Sequence, residues 1–211
     1  MGSTDFMMPP DPAGPQSKSR NEGGSARRPV ESYRMKWRNI EAGGGYYYIT
    51  GTVAEWLSLL SRDDLRRAVC HEIKIALARF SASLAAYVIM PNHLHVLVHL
   101  PKDGDLHRFC KCWRGRSARR IIDLLLRGSD HEALDIFGRH ANGRCKYASW
   151  KEQVRALYIT KEATLLQKVN YIDGNPVRRG LAAEPGDWPY SSFNWYEGGR
   201  EDILPLVIPE V

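Results

Sequence analysis

Asn92-His93-Leu94-His95 sets two imidazoles two residues apart, between the apolar runs Ala85-Ala86-Tyr87-Val88-Ile89-Met90 and Val96-Leu97-Val98. On a strand, a spacing of two puts both rings on one face. Imidazole is the commonest protein metal ligand, and two of them on one face of a rigid strand make part of a site that keeps positions open for substrate. Such a site needs a third ligand and, for covalent chemistry, a nucleophile. Tyr171 and Asn175 stand at i and i+4 in a helical pattern, on one face about a turn apart. The Asn175 amide oxygen could complete the ligand set, with the Tyr171 hydroxyl beside the open positions. The competing reading is packing: histidines at this spacing also serve as packing or surface residues, and a helix tyrosine often buries its ring with the hydroxyl at the rim.

The elements that must position these residues follow from periodicity. Tyr46 to Val53 is rich in aromatic and β-branched residues and reads as a first strand. Its aromatics could stack on bases or pack on the sheet face. Ser61 precedes Asp64 at capping spacing, and Leu65, Val69, Ile73, Ala76, Leu77 and Phe80 then recur at helical spacing to about Ala82. Leu84–Met90 and His93–Leu100 read as a hairpin turning at Pro91-Asn92. His93, His95, Leu97 and His99 share one face of its second strand, and Leu94, Val96 and Val98 the other. A second helix carries Leu106, Phe109, Trp113, Ser117, Ile121 and Leu124 inward and a basic ridge outward, Arg108, Lys111, Arg114, Arg116, Arg119 and Arg120, suited to a phosphate backbone. Residues 128–145 have no convincing period and read as loop with a short helix. Trp150–Ile159 suits a strand. Thr160 is placed to cap a helix with Leu165, Leu166, Val169 and Ile172 inward, which Pro176 ends after Asn175. The remainder, including Val177-Arg178-Arg179-Gly180-Leu181, is too rich in Pro and Gly for regular elements and is expected to wrap the domain.

The 211 residues suit one domain with tails. Residues 1–30, with Pro9-Pro10, Pro12, Pro15 and Gly23-Gly24, read as a disordered arm, 31–196 as the domain and 197–211 as a C-terminal tail. A net charge of +6 favours a polyanionic partner, the alternative being a basic but inert surface. Four cysteines without a CxxC pair and no signal-peptide pattern point to a reducing cytoplasm. Cys110, Cys112 and His107 do not suit structural zinc, because an i,i+2 pair on a helix points roughly 200° apart. No apolar run approaches the roughly 20 residues that cross a bilayer.

Three blocks carry a resemblance. Tyr87-Val88-Ile89-Met90-Pro91-Asn92-His93-Leu94-His95-Val96-Leu97-Val98, then Tyr171-Ile172-Asp173-Gly174-Asn175-Pro176-Val177-Arg178-Arg179-Gly180-Leu181, then Asp187-Trp188-Pro189-Tyr190-Ser191-Ser192 closely resemble the REP-associated tyrosine transposases. These belong to the IS200-like, HUH class of single-strand DNA transposases. The blocks stand in the family's order and spacing, and the resemblance covers roughly residues 43–196. It implies an α+β fold, a ferredoxin-like α/β sandwich with a central antiparallel sheet carrying the histidines on an inner strand. By the same resemblance His93 and His95 match the metal-binding pair, Asn175 the third ligand and Tyr171 the nucleophile.

The implied chemistry is metal-dependent cleavage and rejoining of single-stranded DNA beside a palindromic hairpin, in a bacterial cytoplasm, through a 5′-phosphotyrosine intermediate that conserves the bond energy for DNA transposition. Mg2+ or Mn2+ would polarise the phosphate oxygens, with Ni2+, Co2+ or Zn2+ as stand-ins. A free phenol has a pKa of about 10, so a nearby cation would favour its phenolate. Lys168, one turn before Tyr171, could assist or be solvated. Arg178 and Arg179 join the basic helix as candidate DNA contacts. His99, about 13 Å along the strand from His95 at 3.3 Å per residue, is outside the site. The chain is expected to act as a monomer or homodimer. Two rival readings remain: a catalytically silent DNA-hairpin binding protein on the same fold, and a metal-dependent hydrolase in which Tyr171 only positions the phosphate. A zinc nucleobase deaminase is disfavoured, because no His-x-Glu or Pro-Cys-x-x-Cys signature is present.

Overall fold

The structure is a computed structural model that describes residues 44–102, 104–141, 145–198 and 202–209. The chain divides into a unit of residues 1–37, outside the described residues together with the whole expected arm, and a unit of residues 38–211, to which everything below refers.

Four strands form one antiparallel sheet: β1 (Gly45–Thr52), β2 (Ser83–Ile89), β3 (His93–Leu100) and β4 (Arg155–Ile159), in spatial order β2-β3-β1-β4. Helix α1 (Asp63–Arg79) joins β1 to β2, and α2 (Asp105–Arg127) leads from β3 towards β4. This is the ferredoxin-like α+β sandwich that the resemblance implies. Alternation along β1 and β3 explains why two layers form. Tyr47, Ile49, Leu94, Val96 and Val98 join Leu65, Val69 and Ile73 of α1 and Phe109, Trp113 and Ile121 of α2 in one buried core. Gly51 is part of that fit, since a Cβ there would come within 2.6 Å of the Trp113 ring. The other sheet face, carrying Tyr48, Thr50, His93 and His95, meets α4 (Glu162–Asp173).

The hairpin turn is held from outside. Val53 N–H donates to Asn92 O at 2.9 Å, and Leu60 N–H donates to Pro91 O at 2.8 Å. The histidines therefore begin β3 at a fixed register, with Thr52 opposite His93 and Thr50 opposite His95.

Several boundaries differ from the sequence-based expectation. Ser61 ends a 3-10 turn, and Arg62 holds the position before α1 without a side-chain cap; Asp63 and Asp64 in the first turn complement the helix dipole instead. Helix α1 stops at Arg79 rather than near Ala82, where Ser81 turns to φ 48°. Thr160 does not cap α4, whose preceding residue is Lys161. Trp150 makes only an isolated bridge to Val53, and the strand begins at Arg155. The short helix expected within 128–145 is α3 (His131–Arg139), capped by the Asp130 carboxylate, which accepts from Ala133 N–H at 3.2 Å. The segment expected to be irregular contains α5 (Asn175–Arg178), a 3-10 turn at Pro185–Asp187 and α6 (Phe193–Gly198).

Residues taken from the sequence as a tail lie along β2. Leu204 is buried, Val207 N–H donates to Leu84 O at 3.0 Å, and the Tyr87 hydroxyl donates to Asp202. With Ile89 N–H donating to Tyr190 O and Ser192 N–H to Tyr87 O, these segments occupy the outer edge of β2.

Candidate functional site

The site is built where β3 and β1 face α4. The His93 and His95 rings lie 4.9 Å apart between centroids at 74°, on the same side of the sheet and both buried. Each has its Nδ1 occupied. Asn92 Oδ1 lies 2.7 Å from His93 Nδ1, while Tyr48 Oη at 2.8 Å and Thr50 Oγ1 at 2.9 Å flank His95 Nδ1. The amide oxygen only accepts, so His93 Nδ1 donates and its Nε2 carries the lone pair; the hydroxyls at His95 can accept in the same way. Such partners fix the tautomer and orientation of ligating histidines.

Burial lowers the His93 pKa to about 4. Burial also pushes His95 well below the usual imidazole range, and the neighbouring His93, Lys168 and Arg178 lower it further by disfavouring a second positive charge. Both rings are therefore neutral at physiological pH, the form that binds a cation. Among the described residues no group of three or more His, Cys, Asp or Glu converges. A cation here would need a neutral oxygen donor beside the two imidazoles.

Helix α4 brings Tyr171 to this pair. Its ring centroid is 5.7 Å from that of His95 and 6.2 Å from that of Tyr48, and 38% of the residue is exposed. A phenol at the rim of a buried imidazole pair is reachable by a chain lying across the sheet. Two cations attend it. Arg178 lies 4.4 Å from the ring centroid and donates to the Tyr171 carbonyl. Gly174 permits this return, because a Cβ there would come within 2.6 Å of the Arg178 guanidinium. Lys168 Nζ sits 4.8 Å from the Tyr48 ring centroid and 5.6 Å from that of Tyr171. Lys168 is buried, and desolvation lowers its pKa. It is not the solvated lysine that its helical position also allowed.

Asn175 is not on α4, as its spacing suggested. That helix ends at Asp173, and Asn175 opens α5 with Pro176 behind it; the residue is nevertheless buried. Asp173 is buried as well. It accepts from Ser192 Oγ at 2.8 Å, and burial raises its pKa to about 6. His99 sits apart, against the Tyr46 ring at 5.0 Å.

The basic residues divide. Arg178 is at the site, with Arg179 next in sequence at the end of α5, exposed and with its pKa lowered by partial desolvation. The α2 ridge lies across the sheet, on the α1/α2 side. Three of its members are tied to the protein: Arg108 to Asp105 at 3.1 Å, Arg116 to the buried Glu72 at 2.5 Å, and Arg114 to the carbonyls of Lys151 and Glu152. Lys111, Arg119 and Arg120 are exposed, with Arg119 donating to Gly115 O of its own helix.

Sequence reasoning missed Trp56. The turn after β1 holds Glu55 at φ 51° and Trp56 at φ 56°, left-handed values that cost a non-glycine residue about 1–3 kcal/mol each. The turn sets the indole edge-on to His93, 6.1 Å between centroids, with Lys151 Nζ 4.6 Å from the ring centroid. No local pattern announces such a turn. For Tyr48 and Thr50 the signal existed, since alternation already put them on one face.

A ferredoxin-like sheet that presents two buried imidazoles to a helix-borne tyrosine has counterparts among known proteins. Residues 57–128, about a third of the chain and including both histidines, match the family model described as "Transposase IS200 like". A Haemophilus influenzae protein named as a REP-associated tyrosine transposase is 26% identical over 125 residues, 59% of this chain and 63% of that protein's length. The solved structure of a REP-associated tyrosine transposase bound to a REP hairpin superposes with a TM-score of 0.60 at 19% identity, covering 84% of this chain and 94% of that one. The chain is thus similar over part of its length to IS200-like and REP-associated tyrosine transposases, and its fold is that of the hairpin-bound one.

Proposed function

We propose that the chain is a metal-dependent single-strand DNA endonuclease and transposase, cleaving and rejoining DNA next to a hairpin through a 5′-phosphotyrosine on Tyr171. The observation that carries this reading is the approach of Tyr171 to a pair of buried imidazoles on one sheet face. Hairpin DNA as partner follows from the relative whose structure holds a REP hairpin. Within one chain α4 reaches the chain's own histidines, an arrangement open to a monomer or a homodimer.

The donor set fits a hard or borderline divalent ion, Mg2+ or Mn2+: two Nε2 lone pairs oriented by Nδ1 partners, no thiolate, and Asn175 as the oxygen donor. A cation held by His93, His95 and Asn175 would supply Lewis-acid polarisation of the phosphate oxygens. Tyr171 Oη attacks phosphorus as the bond to the 3′ oxygen breaks. The phenolic proton is lost to solvent, and the released 3′ oxygen takes one up as a 3′ hydroxyl. Arg178 holds the phenol in place from the ring face and puts positive charge beside the phosphate. Lys168 adds a second charge from the helix side. Arg178 and Arg179 are the basic residues best placed to hold the strand near the cut. The α2 ridge can act only on DNA that passes round the sheet edge. No helix among the described residues is long and apolar enough to cross a membrane.

The test is incubation of labelled hairpin DNA carrying single-stranded flanks with the protein and Mn2+ or Mg2+, followed by a denaturing gel. A protein-linked product is expected, lost in Tyr171→Phe while hairpin binding persists. Cleavage without an adduct supports the hydrolase, and binding without cleavage across a panel of hairpins supports the silent binder.

A further inference from the structure

Trp56 has no part in the chemistry above, yet the chain adopts an unfavourable conformation to place it. Two consecutive non-glycine residues sit in the left-handed region, and the surroundings enforce this. Ala54 N–H donates to Ser149 O at 2.9 Å, Leu57 N–H donates to Ala54 O at 3.2 Å, and Glu55 pairs with His140 at 3.0 Å. Core packing does not account for the cost. Trp113 and Trp150 are buried at 0% and 6% exposure, whereas Trp56 is only half-buried. The turn delivers the indole beside His93, at the mouth of the imidazole pair, under the Lys151 ammonium. Lys151 is anchored, its N–H donating to Thr52 O at 2.9 Å, so its side chain moves about a fixed point at the end of β1.

We propose that Trp56 and Lys151 form a nucleotide subsite flanking the scissile phosphate, which takes one unpaired base of the single strand. This rests on the transposase reading of the His93, His95 and Tyr171 site. The base stacks on the indole and displaces the Lys151 ammonium from the ring face onto the adjoining backbone phosphate. The exchange is favourable on both sides. Base–indole stacking exceeds an exposed cation–π contact, and the ammonium exchanges a ring for a full negative charge. Every base has a π-face, so the subsite selects for an unpaired nucleotide rather than for a sequence. It orders the strand on the far side of the histidines from Tyr171 and Arg178.

The experiment compares a blunt DNA hairpin with the same hairpin carrying a single-stranded flank, measured by fluorescence anisotropy for wild type, Trp56→Gly, Trp56→Phe and Lys151→Gln. Glycine is the informative replacement, because at φ 56° it removes the ring and the backbone strain together. A thermal midpoint no lower than wild type then shows that the turn still folds. Trp56→Gly should lose about tenfold in affinity for the flanked hairpin and nothing for the blunt one, with Trp56→Phe keeping most of the difference. Lys151→Gln should lower the salt dependence for the flanked hairpin alone, by about one phosphate contact. Trp56→Gly binding the flanked hairpin like wild type, or losing equally on both hairpins, overturns the subsite while leaving the transposase reading intact. A wild-type protein that binds neither hairpin overturns both.

Discussion

Tyr48 and Thr50 show how much of the site depends on residues that carry none of the chemistry. Their hydroxyls meet at His95 Nδ1, leaving Nε2 as the atom for a cation. Removing one leaves the other in place, so Thr50→Val should weaken Mn2+ binding modestly and Tyr48→Phe with Thr50→Val by about tenfold or more, read by calorimetry. Burial of the imidazoles has a consequence for stability. In metal-free protein the folded His93 binds fewer protons than the unfolded chain between its folded value of about 4 and the ordinary 6.5. Stability is thus fully present above pH 6.5 and falls as pH falls towards 4. Asp173, raised to about 6, works the other way over its own window, because its folded carboxyl keeps the proton longer. Comparison with His93→Gln cancels that term. With chelator present, wild type should lose about 1.5 kcal/mol more than His93→Gln between pH 6.5 and 5 in urea unfolding; equal losses would contradict the buried, neutral imidazole. The pair itself was legible from alternation alone. The placement of Asn175 was not, because the chain changes from α4 to α5 at Gly174 within a single helical period.

At the scale of elements, the basic ridge of α2 looked in sequence like a phosphate-binding face, and periodicity did place its residues outward. Partners are invisible to periodicity. Glu72 lies on α1, 44 residues away, and takes Arg116 into an ion pair at 2.5 Å with its own carboxylate buried. Arg116→Ala leaves that carboxylate with His71 at 3.3 Å and should cost about 2 kcal/mol of stability, part of the pair being solvent-screened. Arg119→Ala and Arg120→Ala should stay within about 0.5 kcal/mol. Chemical denaturation of the three variants decides the matter, and a neutral Arg116→Ala would show that the pair is not structural. At the end of α4, Gly174→Ala should leave the fold intact while pushing the Arg178 guanidinium off Tyr171, slowing adduct formation about tenfold. Unchanged rates would show that Arg178 is not needed there. The short helix expected somewhere in 128–145 is α3, whose bounds the sequence did not give, since nine residues with only Ala133, Leu134 and Phe137 buried make too short a pattern to separate from loop.

For the whole described unit, the resemblance carried by the three sequence blocks implied the sandwich, and the element order read from periodicity agreed with it, because consecutive strands with intervening helices leave few right-handed, antiparallel arrangements. What lay beyond reach was the use of residues 202–209, a stretch without period that fits β2 through Leu204, Asp202 and Val207. A chain stopped after Gly198 should lose at least about 2 kcal/mol and, with the β2 edge opened, scatter light on warming at concentrations where the full chain stays clear. A truncated chain as stable and clear as the full one would contradict the role assigned to this segment. The fold, however, does not by itself establish the chemistry. The central claim is that Tyr171 takes the 5′ phosphate of a cleaved strand, and it is tested most directly by mapping the covalent product. Flanked hairpin DNA labelled at one end or the other is cleaved with Mn2+, and the adduct is digested and read by mass spectrometry. The account predicts that only the 3′-side fragment remains on the protein, through Tyr171, with the 5′-side fragment released bearing a 3′ hydroxyl. A nucleotide found on Tyr48, a 3′-phosphotyrosine, or full cleavage by Tyr171→Phe would contradict it.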